Sequence, residues 1–213
     1  MLELAAKSLL SYLLGALLGS LIVGWLRGGV DIRKLGSGNA GGTNALRTQG
    51  VLFALGVIVI DVGKGWVATR LLPQAVLPGV PFDPALDRVW LTAACAFGVV
   101  LGHIYPVWFE FRGGKGGAAI VGATLGIEPK LVLPALAVWL VVAMLTGFVG
   151  FSTICAAIAL AAAAAWLLDP PLAALTTLYV ATACLIGYAH RDNVQRMLAG
   201  TEGRARRLWL FGR

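Results

Sequence analysis

The chain has 213 residues, 59% of them hydrophobic and 13% charged, with a formal net charge of +7 and a mean hydropathy of +0.85. Soluble domains carry about 25% charged residues, so this composition excludes a water-soluble globular fold. The positive charge is clustered and has no aromatic-interleaved basic surface around it, which argues against nucleic acid as a partner.

About 20 apolar residues cross the hydrocarbon core of a bilayer. On that measure the chain is predicted to be one integral membrane domain over 1–213, all-α and polytopic, with about seven transmembrane helices. The first covers Ala5–Leu26. Its charged start is weak, Glu3 beside Lys7, and no A-x-A site follows, so it reads as a retained span rather than a cleaved signal. A polar segment, Arg27–Gly50, leads to the second span, Val51–Leu72. Within that span Asp61 and Lys64 stand at i,i+3; charge in a bilayer is costly unless paired, so they are expected to pair on one helix face. Lys64 is alternatively placed to lean to the cytoplasmic end and complete an anion cage. A Pro-rich loop, Pro73–Asp87, precedes the third span, Val89–Phe109, which carries His103 near its end. The fourth, Ala118–Ile127, is shorter. The fifth and sixth, Leu131–Thr146 and Phe148–Leu168, are divided at an uncharged turn by Gly147 and Gly150. The seventh, Leu172–Ala189, opens at Pro170-Pro171, as proline suits a first turn.

Charge orients this arrangement. Arg27–Gly50 holds four Lys or Arg, the connection after the third span two, and the tail six, together 12 of the 17. An odd number of spans puts these three segments on one face, with the N-terminus outside and the C-terminus in the cytoplasm. Gly15 and Gly19, Gly98 and Gly102, and the Ala156–Ala165 run are small-residue patterns for close helix packing. Cys95, Cys155 and Cys184, odd in number and far apart, read as small core residues rather than a disulfide framework or metal site. No internal repeat supports a transporter of inverted halves.

Three glycine-rich polar segments interrupt the apolar chain. In the first, Gly36, Gly38 and Gly41 allow close backbone approach to an anion. Ser37, Asn39, Thr43 and Asn44 add neutral donors, and Arg47 adds a guanidinium fork suited to phosphate. Thr43 or Asn44 is otherwise a cap for the second span. The Gly36-x-Gly38-x-x-Gly41 spacing is not a dinucleotide fingerprint, because it follows a membrane span and not a strand. In the second segment, Lys115 lies among Gly113, Gly114, Gly116 and Gly117, a compact cation in a nest of backbone N–H groups. It is not a Walker A loop, since Gly117 stands where Ser or Thr would hold magnesium. The third runs from His190, Arg191 and Asn193 to Gly200, Thr201 and Glu202. Val194, Met197 and Leu198 there mark a short amphipathic interfacial helix with Arg196 snorkelling. Arg204, Arg206 and Arg207 read as a membrane-surface anchor. Five positions after His103 stands Trp108, and after His190 Gln195, so the His/Asp pair of common lipid acyltransferases is missing. The chemistry therefore calls for a substrate that is already activated.

Together these segments resemble the bacterial membrane acyl-phosphate:glycerol-3-phosphate acyltransferases over nearly the whole chain. The resemblance runs through Gly36-Ser37-Gly38-Asn39, Gly41, Thr43-Asn44 and Arg47. It continues at Asp61-x-x-Lys64-Gly65, Gly102-His103, Pro106 and Gly113-Gly114-Lys115-Gly116, and ends at His190, Asn193, Arg196, Gly200 and Glu202. Gly42, Tyr105, Gly117 and Ala119 depart from the family's usual Ala, Phe, Val and Thr. The resemblance implies seven spans with cytoplasmic motifs in the bacterial inner membrane. It implies transfer of a fatty acyl group from acyl phosphate to the sn-1 hydroxyl of glycerol 3-phosphate, giving lysophosphatidic acid and phosphate, the first step of phospholipid biosynthesis. Ser37, Arg47, Lys115, His190 and Asn193 are then expected to be catalytic. Gly38, Asn39, Gly41, Thr43, Asn44, Lys64, His103, Gly113, Gly114, Gly116, Gly200 and Glu202 are expected to bind substrate or phosphate. Membrane lipid surrounds the protein, no metal or other cofactor is called for, and a monomer is expected to suffice. Two other classes stand beside this one: a transporter of a phosphorylated anion and a non-catalytic membrane subunit with a lipid-binding tail.

Overall fold

The computed structural model describes residues 1–168, 173–206 and 208–211. The Pro170-Pro171 start of the seventh span, and Arg207 and Arg213 of the tail, lie outside the described residues. Every described element is helical. The chain divides into two compact units, Met1–Ile127 and Glu128–Arg213. The first holds α1 (Leu2–Gly15), α2 (Gly19–Leu26), α3 (Gly42–Gln49), α4 (Val51–Arg70), α5 (Arg88–Ile104) and α6 (Gly117–Ile127). The second holds α7 (Val132–Thr146), α8 (Val149–Leu167), α9 (Ala173–Ala189) and α10 (Arg191–Leu198). Among the described residues four helical stretches are long and apolar enough to cross a membrane, and up to six if the bent pairs α1–α2 and α9–α10 each make one span. Helix α6 has 11 residues, a rise of about 16 Å, roughly half the hydrocarbon thickness.

The first predicted span is not continuous. The chain bends by 45° between α1 and α2. A break exposes carbonyls at the end of one helix and N–H groups at the start of the next, and in an apolar setting each unpaired group costs several kcal/mol. Both sets are met from α4. Lys64 Nζ donates to Gly15 O and Leu17 O, each at 2.8 Å, and Asp61 Oδ1 accepts from Gly19 N at 3.1 Å. Lys64 and Asp61 also pair with each other at 2.9 Å, with side chains 3% and 1% exposed. The i,i+3 pairing expected from the sequence is present, and the same two charges support the bend.

Small residues bring the helices of the first unit together. A Cβ on Gly15 would meet the Val99 backbone, and one on Gly102 the backbone of Tyr12 and Ala16, so α1 and α5 cross with main chains in contact. Gly65 meets the backbone of α6 at Ala119 and Ala123 in the same way. Such approach maximises van der Waals packing where apolar lipid gives no hydrophobic drive. The weakly charged N-terminal start is a buried cluster. Glu3 accepts from Lys7 at 2.7 Å, from Arg88 at 2.7 and 2.9 Å, and from Asp83 N at 2.9 Å. Lys7 also donates to Pro73 O at 2.8 Å, so α1 carries the Pro-rich loop. Of the cysteines only Cys95 is buried; Cys155 is half-buried and Cys184 exposed on its helix, which corrects the expectation that all three are core residues.

In the second unit α7 ends at Gly147 in the left-handed region (φ 74°), where a side chain is disfavoured. The tail folds back on this turn: Ala205 N donates to Gly147 O at 2.8 Å and Leu210 N to Met144 O at 2.9 Å. Arg204 stacks between Phe148 and Trp209, 4.7 and 4.1 Å from their ring centroids. Gly102→Ala is expected to destabilise the protein by about 1–3 kcal/mol through overpacking, read as a lower thermal midpoint in detergent. Gly63→Ala, at a helical position with nothing within 4 Å of the new methyl, is the control and is expected to be neutral or slightly stabilising.

Candidate active site

The first polar segment is built around Asn44. Its side chain is 2% exposed, and Oδ1 accepts from Ser37 N at 3.0 Å. Its Nδ2 lies at 2.9 Å from Ile32 O, 3.0 Å from Leu35 O and 3.0 Å from Asn39 O. Gly38 N donates to Leu35 O at 3.0 Å. A Cβ on Gly36 would strike Asn44 Oδ1 and the Thr48 methyl, which explains glycine there. The segment is thus a wound loop whose inner hydrogen bonds are internal. Its outward groups are Ser37, exposed beside Gly38, then half-buried Asn39, and exposed Thr43 and Arg47 on α3. Gly41 caps α3 and Gly50 caps α4. Neither Thr43 nor Asn44 caps the second span; both lie inside the separate short helix α3.

The second polar segment rests on the end of α5. Gly113 N donates to Ile104 O at 3.2 Å and Gly114 N to His103 O at 3.0 Å. A Cβ on Gly113 would meet His103 O and Pro106 Cδ, and one on Gly114 the His103 ring. These two glycines are therefore demanded by packing, and their N–H groups already have protein acceptors. The anion nest expected from the sequence begins later in the loop. Gly116 turns with φ 85° and leads into the N-terminus of α6, whose first N–H groups lack helical acceptors. Lys115 is half-buried at that junction. His103 is 2% exposed, and its Nδ1 lies 2.9 Å from Lys64 Nζ. Lys64 and His103, expected to reach substrate, face each other inside the protein.

Arg33, which sequence reasoning did not single out, joins the two segments. Its Nε and one terminal nitrogen bind the Asp31 carboxylate at 3.0 and 2.8 Å. Its other terminal nitrogen reaches Phe109 O at 3.3 Å and Arg112 O at 3.5 Å, and its guanidinium lies 5.4 Å from the Phe109 ring centroid. The side-chain hydrogen bond from Arg33 holds the Asp31 carboxyl below its ordinary range, and the bond to Asp31 raises Arg33 in turn. Asp31, Arg33, Lys34, Glu110 and Arg112 line a surface depression of about 230 Å³. Clustered Asp and Arg were legible; the carbonyls that Arg33 reaches are 76 and 79 residues away in the chain and were not.

In the second unit Glu202 gathers the last motif. Its two oxygens accept from Asn193 Nδ2 and Arg196 Nε, each at 2.6 Å, and its N–H donates to Arg196 O at 3.1 Å. Arg196, its side chain 43% exposed, is therefore paired with Glu202. A Cβ on Gly150 would meet the Asn193 side chain, so α8 and α10 touch there. His190 is 4% exposed, with Nδ1 2.8 Å from Ile186 O. A carbonyl only accepts, so this nitrogen carries a hydrogen. Gly200 is exposed and turns with φ 70°, which lets the chain reverse towards Glu202.

The comparisons with known proteins agree with one another. A sequence profile described as glycerol-3-phosphate acyltransferase matches residues 5–200. The glycerol-3-phosphate acyltransferase of Laribacter hongkongensis is 38% identical over 199 residues, 93% of this chain and 94% of that protein. That of Agrobacterium fabrum is 35% identical over 201 residues, 94% and 91% of the two chains. Among solved structures, PlsY (YgiH), an integral membrane glycerol 3-phosphate acyltransferase in its glycerol 3-phosphate form, superposes with a TM-score of 0.78 at 28% identity, covering 94% of each chain. Its lysophosphatidic acid form gives 0.77 with the same identity and coverage.

Two outcomes test the loop architecture. Asn44→Ala removes a partner from four groups, of which Ile32 O and Leu35 O keep a backbone donor, at about 1–3 kcal/mol for each one left buried and unsatisfied, and a fall in thermal midpoint is expected. Asn44→Asp, nearly the same shape, turns a donor into an acceptor facing three carbonyls and is expected to be no better. For Asp31 the folded carboxyl is lowered, so its contribution is complete above about pH 4 and is lost as pH falls through the folded value. Acidification below about pH 4 is expected to lower the protection against hydrogen exchange at residues 109–112, after correction for the slower intrinsic exchange at low pH, and Asp31→Asn to give the lower protection already at neutral pH.

Proposed function

The chain belongs to the glycerol-3-phosphate acyltransferase family, and from that premise we propose that it transfers a fatty acyl group from acyl phosphate to the sn-1 hydroxyl of glycerol 3-phosphate. The products are lysophosphatidic acid and inorganic phosphate. The observation that carries this reading is the agreement over 94% of each chain with a structure in its glycerol 3-phosphate form, together with an exposed Arg47 and a half-buried Lys115 on neighbouring polar segments of one unit. Seven crossings, an outside N-terminus, a cytoplasmic site in the bacterial inner membrane and action as a monomer complete the proposal.

The chemistry fits the residues. An acyl phosphate is a mixed anhydride with a good leaving group. The hydroxyl oxygen of glycerol 3-phosphate attacks the carbonyl carbon, the bond from that carbon to the phosphate oxygen breaks, and phosphate departs with its electron pair. The hydroxyl proton passes to a substrate phosphate. Such a reaction asks for positioning, which supplies about 7–11 kcal/mol, and for donors at the developing oxyanion, about 3–4 kcal/mol each. In this proposal Lys115 and the amides opening α6 bind the phosphate of glycerol 3-phosphate. Arg47, with Ser37 and Thr43, binds the acyl phosphate. His190 and Asn193 orient phosphate oxygens, and Glu202 acts by holding Asn193 and Arg196. Asn44 shapes the loop that presents Ser37.

The purified protein in detergent is to be given palmitoyl phosphate and labelled glycerol 3-phosphate, with palmitoyl-coenzyme A as the parallel donor. Lysophosphatidic acid and phosphate in equal amounts from the acyl phosphate, and none from the thioester, is the expected result. No product from either donor in folded protein would overturn the proposal. Arg47→Ala and Lys115→Ala are each expected to lower kcat/KM by about 10²–10³, the loss of one aligned charge-stabilising donor.

A further inference from the structure

A buried polar chain lies beneath the second glycine segment and takes no direct part in the proposed acyl transfer. Asp61, Lys64 and His103 are 1%, 5% and 2% exposed. Lys64 Nζ faces three groups that only accept: Gly15 O, Leu17 O and Asp61 Oδ1, at 2.8, 2.8 and 2.9 Å. A neutral amine has two N–H donors and leaves one oxygen facing a lone pair; an ammonium has three. Its fourth neighbour is His103 Nδ1 at 2.9 Å, which is itself 3.4 Å from Asp61 Oδ1. One ammonium hydrogen is therefore shared between the carboxylate and the ring. A ring nitrogen so close to an ammonium presents its lone pair, which leaves the imidazole hydrogen on Nε2. That nitrogen is turned to the glycine segment: a Cβ on Gly114 would meet Nε2 first, then Cε1 and Cδ2. Gly114 N in turn donates to the carbonyl of His103, at 3.0 Å.

We propose that Asp61, Lys64 and His103 form a positioning relay that holds the Gly113–Gly116 segment, and with it Lys115, in place for glycerol 3-phosphate, with the His103 ring locked by Lys64 and packed by its Nε2 edge against Gly114. The relay rests on the assignment of Lys115 to that substrate. Its other end is the bend between α1 and α2, whose carbonyls Lys64 binds. Lys64 and Asp61 therefore serve both the bend and the segment, whereas His103 serves the segment alone. That division makes His103 the residue to test, because its loss leaves the three oxygens around Lys64 in place.

His103→Asn and His103→Gln in the full chain separate the two ring nitrogens. Asn offers an acceptor near Nδ1 but leaves the space of the Nε2 edge beneath Gly114 empty; Gln extends an amide to about the reach of Nε2. For His103→Asn the expected result is a thermal midpoint near that of the parent, KM for glycerol 3-phosphate raised about tenfold, which corresponds to about 1.4 kcal/mol, and KM for acyl phosphate unchanged. His103→Gln is expected to recover part of the loss. Amide hydrogen exchange over residues 113–117 is expected to quicken in His103→Asn; that readout needs no turnover, so it tests the relay even if neither donor gives product. A lower midpoint with both KM values unchanged, or an equal rise in both, would reduce the relay to support of the helix bend and overturn the proposal. Should His103→Asn fail to fold, Gly114→Ala, which keeps all three polar residues and lifts the segment off the ring, is expected to show the same selective rise in KM; no rise there would overturn the proposal as well.

Discussion

The charge pair of Lys64 and Asp61 is the interaction on which the first unit depends. A buried ion pair is costly to desolvate and is sustained only when further hydrogen bonds satisfy both ions. Here the partners are backbone groups released by the α1–α2 break, two carbonyls on the cation and one N–H on the anion. Cation and helix C-terminus, anion and helix N-terminus, are also the pairing that the helix dipoles favour. The bend and the ion pair thus stabilise each other. From the same ammonium the contact passes to His103, and from its ring to Gly114, so the conformation of a polar surface segment is coupled to the middle of a membrane helix bundle.

Glycine has two different uses in the polar segments. At Gly36, Gly113 and Gly114 it makes room for a neighbouring side chain or carbonyl, and the N–H groups of Gly113 and Gly114 are spent on protein acceptors. At Gly38 and Gly116, and at Gly36 as well, it supplies positive φ. In the proposed reading anion recognition falls to Arg47, Lys115 and the opening amides of α6, because the N–H groups of Gly113 and Gly114 are taken by protein carbonyls. Such an arrangement suits a reaction whose leaving group is already activated, because the protein has only to hold charges at set positions. Rigid loops serve that end, since a group held by buried hydrogen bonds loses little freedom when substrate arrives.

The second unit follows the same logic with different parts. Glu202 is held by its own backbone against Arg196 and takes both Asn193 and Arg196 on its carboxylate. In the proposed reading Glu202 organises Asn193 rather than touching substrate itself. The tail is anchored to the α7–α8 turn through Gly147 and the stacked Arg204, so Arg204 has packing partners as well as charge.

Hydropathy, glycine clustering and the i,i+3 spacing of Asp61 and Lys64 were enough to determine an all-helical membrane protein with three polar segments and one internal ion pair. These are local quantities: burial in lipid demands apolar helices of set length, and a lone charge there demands a near partner. The resemblance of the motifs to a family located the polar residues but not their division of labour. Only the tertiary structure decided that the first span breaks, that Asn44 and His103 face inward while Ser37 and Arg47 face outward, and that Arg33 ties residues more than seventy positions apart. Each of these depends on which backbone groups another helix leaves unpaired. Hydrogen-bond satisfaction is settled across the whole fold, and a position's own neighbours in the chain do not carry it.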